Sequence, residues 1–185
     1  MSDARETLVR ELREHALVIG EVTLSSGARA SYYVDAKRAL LRPPAFRACG
    51  ELVAATASEL GARAVGGMTM GADPIACAAL AATESDELSA FFVRKQRKEH
   101  GLERWVEGPV LEPGTPVLVV EDVVTTGGST VRAIERIRAE GLEIRGAVCV
   151  LDRLTGGAEA IAEAAGAPVR ALTTIDDIHP ERDDR

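Results

Sequence analysis

The sequence predicts an α/β domain built on a central, mostly parallel β-sheet flanked by helices. Strand-like and helix-like segments alternate along most of the 185 residues, which is the pattern of consecutive βαβ units. The strand-like segments are nearly continuous in apolar residues, as expected of parallel strands that are covered on both faces. A hydrophobic content of 46% is sufficient to fill the core of one domain of this length.

The beginning of the chain predicts a small lobe ahead of the sheet. Apolar residues recur at helical spacing within 4–16, which predicts an amphipathic helix. Two short strands are then expected at 22–24 and 32–34, around a turn at Ser26-Gly27. We call residues 1–40 the N-terminal hood segment.

The alternating pattern occupies the remainder of the chain. Pro43 and Pro44 predict the start of a helix that ends before Gly61. Strands are then expected at 63–67, 88–94, 116–121, 144–151 and 168–174, with helices at 74–83, 129–140 and 156–165. These elements define a predicted core of residues 41–178, which forms effectively one domain with the hood segment.

Two stretches of the chain lack such periodicity. Residues 95–114 are expected to form the longest loop, and a loop of this length within a compact domain often has a function. The acidic end, 176–185, is expected to be solvated, with 179–185 as a charged tail.

Composition and charge exclude several classes of protein. The net charge of -7 disfavours nucleic acid and anionic membranes as partners. No apolar run approaches the roughly 18 residues of a membrane span, and the charged start does not resemble a signal peptide. The three cysteines, Cys49, Cys77 and Cys149, show no CxxC pairing and lie in apolar stretches, so we expect reduced, buried thiols and no zinc site. We therefore expect a cytoplasmic protein.

The most informative segment is 117–130, VLVVEDVVTTGGST. An apolar strand leads into two adjacent carboxylates, Glu121 and Asp122, and then into a turn rich in hydroxyl side chains and glycine. In parallel sheets ligands bind at the carboxyl ends of the strands, where helix N-termini attract phosphate. Carboxylates beside a phosphate site are suited to accepting hydrogen bonds from sugar hydroxyls. A plainer interpretation is a helix start that is capped by Ser129 or Thr130.

This segment resembles the motif by which type I phosphoribosyltransferases bind PRPP (5-phosphoribosyl 1-diphosphate). The resemblance implies the type I phosphoribosyltransferase fold and a small hood lobe. It also implies that Glu121 and Asp122 hold the ribose 2′- and 3′-hydroxyls, with Asp122 contributing to catalysis. The residues that follow them would contact PRPP and cradle its 5′-phosphate: Val123, Val124, Thr125, Thr126, Gly127, Gly128 and Ser129.

A cluster of basic residues opens the predicted long loop, in the segment RKQRKEHGLER (94–104). Charge runs are usually solvated surface, but mobile cations near a phosphate site can stabilise a leaving pyrophosphate. The order RKxxKxHG resembles the catalytic loop of orotate phosphoribosyltransferases. This resemblance implies PRPP contacts for Arg94, Lys95, Lys98 and His100, a catalytic role for Lys98, and a homodimer whose subunits share active sites.

Two further segments resemble the same family. LSSGARASYYVD (24–35) is similar to its N-terminal orotate-binding segment, which implies orotate contacts for Ser26 and Tyr33. The end of strand 144–151 resembles the place where an arginine, here Arg153, contacts orotate, and Thr125 would contact both orotate and phosphate. The plainer alternatives are a hairpin turn for residues 24–35 and a helix-capping ion pair for Arg153.

This sequence departs from the family pattern at two positions. Some members carry a lysine where Gly71 stands in the segment GGMTMGADPIA (66–76), and some carry one where Ser25 stands. These departures favour backbone amides over cationic side chains as the phosphate donors at both places.

The resemblance implies direct displacement of pyrophosphate from the anomeric carbon of PRPP by orotate. Mg²⁺ would bind through oxygens of PRPP, without direct protein ligands. We find no arrangement of residues typical of a covalent nucleophile. Two alternatives share the PRPP motif: a purine phosphoribosyltransferase, which should lack RKxxKxHG, and a non-catalytic PRPP-sensing regulator, which should carry a basic face for nucleic acid.

Overall fold

The computed structural model describes residues 2–23, 29–84, 86–96 and 104–183. Within these ranges the strands are β1 (Leu17–Thr23), β2 (Arg29–Val34), β3 (Ala64–Met68), β4 (Ser89–Val93), β5 (Val106–Glu107), β6 (Pro116–Val124), β7 (Glu143–Asp152) and β8 (Val169–Thr174). The helices are α1 (Ser2–His15), α2 (Lys37–Leu40), α3 (Pro43–Glu59), α4 (Asp73–Ala82), α5 (Gly128–Ala139), α6 (Gly157–Ala165) and α7 (Ile175–Ile178).

The central sheet has the strand order β5-β4-β3-β6-β7-β8, and all neighbours are parallel except β4 and β5. The predicted α/β fold with a mostly parallel sheet is thereby confirmed. From β3 the chain continues outward to β4, whereas from β6 it continues outward in the other direction. The strand order therefore reverses between β3 and β6, and the carboxyl ends of these two strands border the crevice in which such sheets bind ligands.

Helices cover both faces of the sheet, and β6 shows how the sequence directs this. Leu118 and Val120 point into the core cluster that contains α1, α3 and α4. Val117 and Val119 point into the second cluster, with α5 and α6. Because successive residues of a strand face opposite sides, a run of apolar residues supplies both layers.

The hood segment forms a second, two-stranded antiparallel sheet of β1 and β2 beside helix α1. Its strands are longer than the predicted 22–24 and 32–34, because β1 begins directly after α1 at Leu17. Leu8 and Leu12 of α1 are fully buried. The division into segments 1–40, 41–178 and 179–185 stays a prediction.

The expectation of a structureless loop at 95–114 is wrong in part. Val106–Glu107 forms β5, which pairs antiparallel with the edge strand β4. The amide of Arg94 also donates to the carbonyl of Trp105 at 2.9 Å. A strand of two residues is too short to show periodicity, and its pairing depends on the neighbouring strand rather than on its own sequence.

The acidic end is also more ordered than its composition suggested. Helix α7 covers residues 175–178, and both Ile175 and Ile178 are buried. Thr174 and Asp177 form a reciprocal capping box at its start, and Asp177 forms an ion pair with Arg5 of α1 at 2.8 Å. The expectation of a solvated stretch is therefore wrong for residues 176–178, where acidic side chains lie at a helix N-terminus.

The cysteines differ in their exposure. Burial raises the pKa of the Cys49 thiol and of the Cys149 thiol to about 12, so both are poor nucleophiles. Cys77 is exposed on α4, contrary to the expectation of three buried thiols, because it lies on a helix face that does not contact the core. No helix in the described ranges is long and apolar enough to cross a membrane.

Candidate active site

The two adjacent carboxylates lie within β6, which continues to Val124 instead of ending at residue 121. Pairing with β7 extends the strand, because Val124 is in register with Asp152. Glu121 and Asp122 are only 6% and 9% exposed. The acid pair therefore lies at the bottom of the crevice between β3 and β6.

The two carboxylates of the pair face different neighbours, as strand alternation predicts. The hydroxyl of Thr130 in α5 donates to Oε2 of Glu121 at 2.9 Å. The ammonium of Lys37 at the start of α2 donates to Oδ2 of Asp122 at 3.0 Å. Glu121 thus interacts with α5, the helix that follows the predicted phosphate turn, and Asp122 interacts with α2 of the hood segment.

Glu121 has an unusual protonation equilibrium. Burial and, after it, the negative charge of Asp122 together raise the pKa of its carboxyl to about 7, while the hydrogen bond from Thr130 opposes the change. A carboxyl that titrates near neutrality can exchange a proton when a ligand binds.

We expect Glu121→Gln to reduce the pH dependence of stability. A folded-state pKa of about 7 against the ordinary 4.5 means that this group stabilises the fold below about pH 4.5, and that the contribution is lost as the pH rises through 7. The wild type should therefore lose on the order of 1–3 kcal/mol across this window relative to the variant. Urea unfolding at pH 5 and pH 8 measures this difference, and parallel curves for both proteins would contradict it.

The turn after β6 has the geometry of an anion site. Gly127 is the N-cap residue of α5 and has a left-handed φ of 76°, which favours glycine. No side chain caps this helix, so the interpretation of Ser129 or Thr130 as N-cap is wrong. Thr130 instead lies inside the first turn and supports Glu121. Amide groups at a helix start that no side chain caps are suited to bind a phosphate.

The predicted base-binding residues approach this turn from two directions. Arg153 follows β7, and its amide donates to the carbonyl of Val124 at 2.9 Å. Its guanidinium donates to the hydroxyl of Tyr32 at 2.7 Å and lies over the Tyr32 ring at 4.8 Å. The hydroxyl of Thr155 donates to the carbonyl of Thr125 at 2.8 Å. Arg153 and Thr125 therefore lie at neighbouring strand ends.

Tyr33 and Tyr32 occupy opposite faces of β2. Tyr32 is buried, whereas Tyr33 is 41% exposed and points away from the Arg153 side. Sequence reasoning missed Tyr32, although strand alternation permits only one of two adjacent tyrosines to face Arg153. An orotate contact of Tyr33 stays a prediction, and Ser26 lies outside the described residues.

The start of the basic segment lies at the same edge of the sheet as the acid pair. Arg94 directly follows β4, which is parallel to β3, and its guanidinium forms an ion pair with Glu107 at 2.9 Å. Arg136 of α5 donates to the carbonyls of Arg94 and Lys95 at 2.6 and 3.2 Å and lies 4.3 Å above the ring of Trp105.

Arg136 therefore connects α5 to the start of the basic segment. No sequence motif indicated this contact. Lys98 and His100 lie outside the described residues, so their predicted PRPP contacts stay predictions.

The loop after β3 closes over the acid pair from the other side of the crevice. A Cβ atom at Gly71 would lie 2.6 Å from Oδ1 of Asp122 and 3.0 Å from Oε1 of Glu121. The hydroxyl of Thr69 in this loop donates to Asp73 at 2.6 Å. The loop can pack this closely against the acid pair because position 71 has no side chain.

Comparison with known proteins agrees with this geometry. The family model for the phosphoribosyl transferase domain matches residues 42–167. The orotate phosphoribosyltransferase of Streptomyces avermitilis is 46% identical over 180 residues, which cover 96% of this chain and 98% of the relative. The chain belongs to the orotate phosphoribosyltransferase family.

Solved orotate phosphoribosyltransferases share the fold. A crystal structure of the Mycobacterium tuberculosis H37Rv enzyme in complex with Fe(III) dicitrate superimposes with a TM-score of 0.85 at 41% identity, over 95% of this chain and 99% of that chain. The same enzyme in complex with PRPP gives a TM-score of 0.80 at 38% identity, over 95% and 98% of the two chains. The predicted type I phosphoribosyltransferase fold is thereby confirmed.

Proposed function

We propose that this orotate phosphoribosyltransferase transfers the 5-phosphoribosyl group of PRPP to orotate, giving orotidine 5′-monophosphate and pyrophosphate in pyrimidine biosynthesis. The observation that carries the proposal is the junction of β6 and α5. There a buried acid pair lies beside an uncapped helix start, in a chain that is 46% identical to an orotate phosphoribosyltransferase.

The geometry supports a role for each part of this junction. Residues 125–129 would hold the 5′-phosphate through helix-start amides and hydroxyls. Glu121 and Asp122 would accept hydrogen bonds from the ribose hydroxyls, because carboxylates are strong acceptors for such donors. These contacts would orient the anomeric carbon toward Arg153, where orotate would bind. Much of the catalysis would therefore consist in positioning the two substrates.

Arg153 is suited to recognise the anionic, planar base. A guanidinium presents paired donors that match a carboxylate. In the described structure its contact with Tyr32 holds it at the end of β7. We propose that Arg153 and Thr125 bind orotate, with Tyr33 and Ser26 contributing from the hood segment.

Mg²⁺ would be carried into the site on oxygens of PRPP. Within the residues that the structure describes, no group of three or more His, Cys, Asp or Glu side chains could hold a metal ion. Mg²⁺ usually keeps several waters and binds substrate oxygens with few protein ligands, so oxygens of PRPP would hold it without a direct protein ligand. Such an ion would offset the negative charge of the pyrophosphate, while Glu121 and Asp122 would hold the ribose hydroxyls.

The basic segment would supply the cations for the departing pyrophosphate. The structure describes Arg94 and Lys95 at the edge where PRPP would bind. We propose that Lys98 and His100 complete this set, from the neighbouring subunit of a homodimer. Positive charge that approaches the leaving group stabilises the charge that develops as the C1–O bond breaks.

A direct assay tests the function. Purified protein is mixed with orotate, PRPP and Mg²⁺, and the loss of orotate absorbance is followed together with pyrophosphate release. We expect equimolar consumption of orotate and formation of pyrophosphate, with no turnover when Mg²⁺ is chelated. Adenine and hypoxanthine serve as alternative acceptors in parallel. Turnover with a purine but not with orotate would refute the proposal.

A further inference from the structure

Lys37 lies in the site, although no motif indicated it. It is the first residue of α2, 85 positions before Asp122 in the sequence. Its ammonium lies 3.0 Å from Oδ2 of Asp122 and 3.0 Å from Oδ1 of Asp35. The side chain is 35% exposed, so the ion pair with Asp122 is partly shielded from solvent, and its interaction is stronger than that of a surface pair.

The chain uses lysine sparingly. It contains three lysines, Lys37, Lys95 and Lys98, and all other strongly basic side chains are arginines. Two of the three belong to the basic segment that begins after β4. A lysine ammonium is a compact charge with three donors, which allows Lys37 to hold both Asp35 and Asp122 and still present a donor.

Lys37 remains charged in this position. Burial alone would lower the pKa of its ammonium, but the charge of Asp122 and the hydrogen bonds to Asp122 and Asp35 outweigh burial and raise the pKa well above the ordinary value. Asp122 therefore keeps a cationic partner across the physiological pH range.

The loop after β3 cannot provide this cation. Gly71 stands so close to Asp122 that even a Cβ atom would lie 2.6 Å from its Oδ1. A lysine at this position would require the loop to move away from the acid pair. The positive charge beside Asp122 comes instead from the opposite side of the crevice, from α2.

The hydrogen bonds of Asp122 leave acceptor capacity for a ligand. Its Oδ2 accepts from Lys37 and its Oδ1 accepts from the amide of Val123 at 2.9 Å. Each carboxylate oxygen has two acceptor sites, so both oxygens can accept a further bond. The two existing bonds fix the plane of the carboxylate before a ligand arrives.

We propose that Lys37 is a positioning residue for PRPP, which holds the Asp122 carboxylate in the orientation that receives a ribose hydroxyl. This inference rests on the proposed function and extends it to a residue of the hood segment. Lys37 acts through Asp122 on the ribose end of the substrate, and does not contact the diphosphate. Removal of the Lys37 ammonium should therefore lower the affinity for every ligand that carries the ribose 5-phosphate group.

Calorimetric titration with two probes, PRPP and ribose 5-phosphate, tests this proposal. In Lys37→Met we expect the affinity for both probes to fall about tenfold, the loss of roughly one charge-assisted hydrogen bond. KM for PRPP should rise by a similar factor, and kcat at saturating PRPP should change less than about threefold. Lys37→Arg keeps the charge and should recover most of the affinity. Arg38→Met removes a charge from an exposed neighbour on the same helix and should bind both probes like the wild type.

Several outcomes would overturn the proposal while leaving the proposed function intact. One is a wild-type affinity of Lys37→Met for ribose 5-phosphate in a protein that turns over orotate. Another is a loss of affinity for PRPP alone, which would place Lys37 at the diphosphate. A failure of the wild type to bind PRPP or consume orotate would instead refute the proposed function.

Amine labelling of the wild type gives a test that needs no folded Lys37 variant. Mass spectrometry can follow the three lysines separately. We expect Lys37 to react more slowly than Lys95, because its ammonium is paired with two carboxylates. Asp122→Asn should accelerate labelling of Lys37 but not of Lys95. Equal labelling rates at Lys37 and Lys95 in the wild type would contradict the ion pair on which the proposal depends.

Discussion

Asp122→Asn should lower kcat/KM for PRPP by about 10- to 100-fold, with the fold preserved. The substitution keeps the shape of the side chain but replaces a charged acceptor by a neutral one, and a hydrogen bond to a charged group contributes about 1.5–3 kcal/mol. In the variant a neutral amide would face the Lys37 ammonium, which in the wild type donates a hydrogen bond to Oδ2 of Asp122. Initial rates at varied PRPP measure the effect, and circular dichroism with thermal unfolding shows whether the fold is kept.

Asp86→Asn is the matched control for this prediction. Asp86 is exposed and precedes β4, at the edge of the sheet opposite the carboxyl ends of the strands. The same change of charge there should leave kcat/KM within about twofold, since a distant exposed charge is largely screened by salt. If folded Asp122→Asn keeps the wild-type rate, the carboxylate of Asp122 does not bind the ribose.

Lys98→Ala should reduce kcat by about 10²–10³-fold, which is comparable with removal of an oxyanion donor in other enzymes. The cation is expected to act on the pyrophosphate as the C1–O bond breaks, when its charge is greatest. Ground-state affinity for PRPP should change much less than kcat, because the interaction strengthens in the transition state. Single-turnover rates, which are free of product release, measure the chemical step directly.

The neighbouring residue offers a comparison for Lys98. Arg97 occupies a variable position of the RKxxKxHG pattern, so Arg97→Ala should reduce kcat much less than Lys98→Ala. Equal losses in the two variants would indicate that only the total charge of the segment matters. A wild-type kcat for folded Lys98→Ala would remove the residue from its assigned role.

The fold was predictable from sequence where apolar periodicity is strong. The predicted core elements that begin with the helix at Pro43 lie within one residue of their observed ends, except that β6 extends to Val124. That extension depends on the register between Val124 and Asp152 of β7, which a single segment does not encode. β5 and α7 were missed because a two-residue strand and a four-residue helix are too short to show a period.

The site was predictable where its residues are adjacent in the sequence. Glu121, Asp122 and the turn that follows form a local motif, and the structure places them together. Lys37, Tyr32 and Arg136 were missed because their contacts join residues that lie 85, 121 and 42 positions apart. Only the packing of α2, β2 and α5 around the crevice brings these side chains to the site.

A crystal structure of the protein soaked with PRPP, without orotate, tests the central claim most directly. We expect the 5′-phosphate against the amides of residues 126–129 and the ribose hydroxyls on Glu121 and Asp122. The diphosphate should extend toward the carboxyl end of β4. PRPP bound away from the β6–α5 junction, for example in the cavity of about 340 Å³ lined by Ala54, Arg63 and Leu88, would contradict the account.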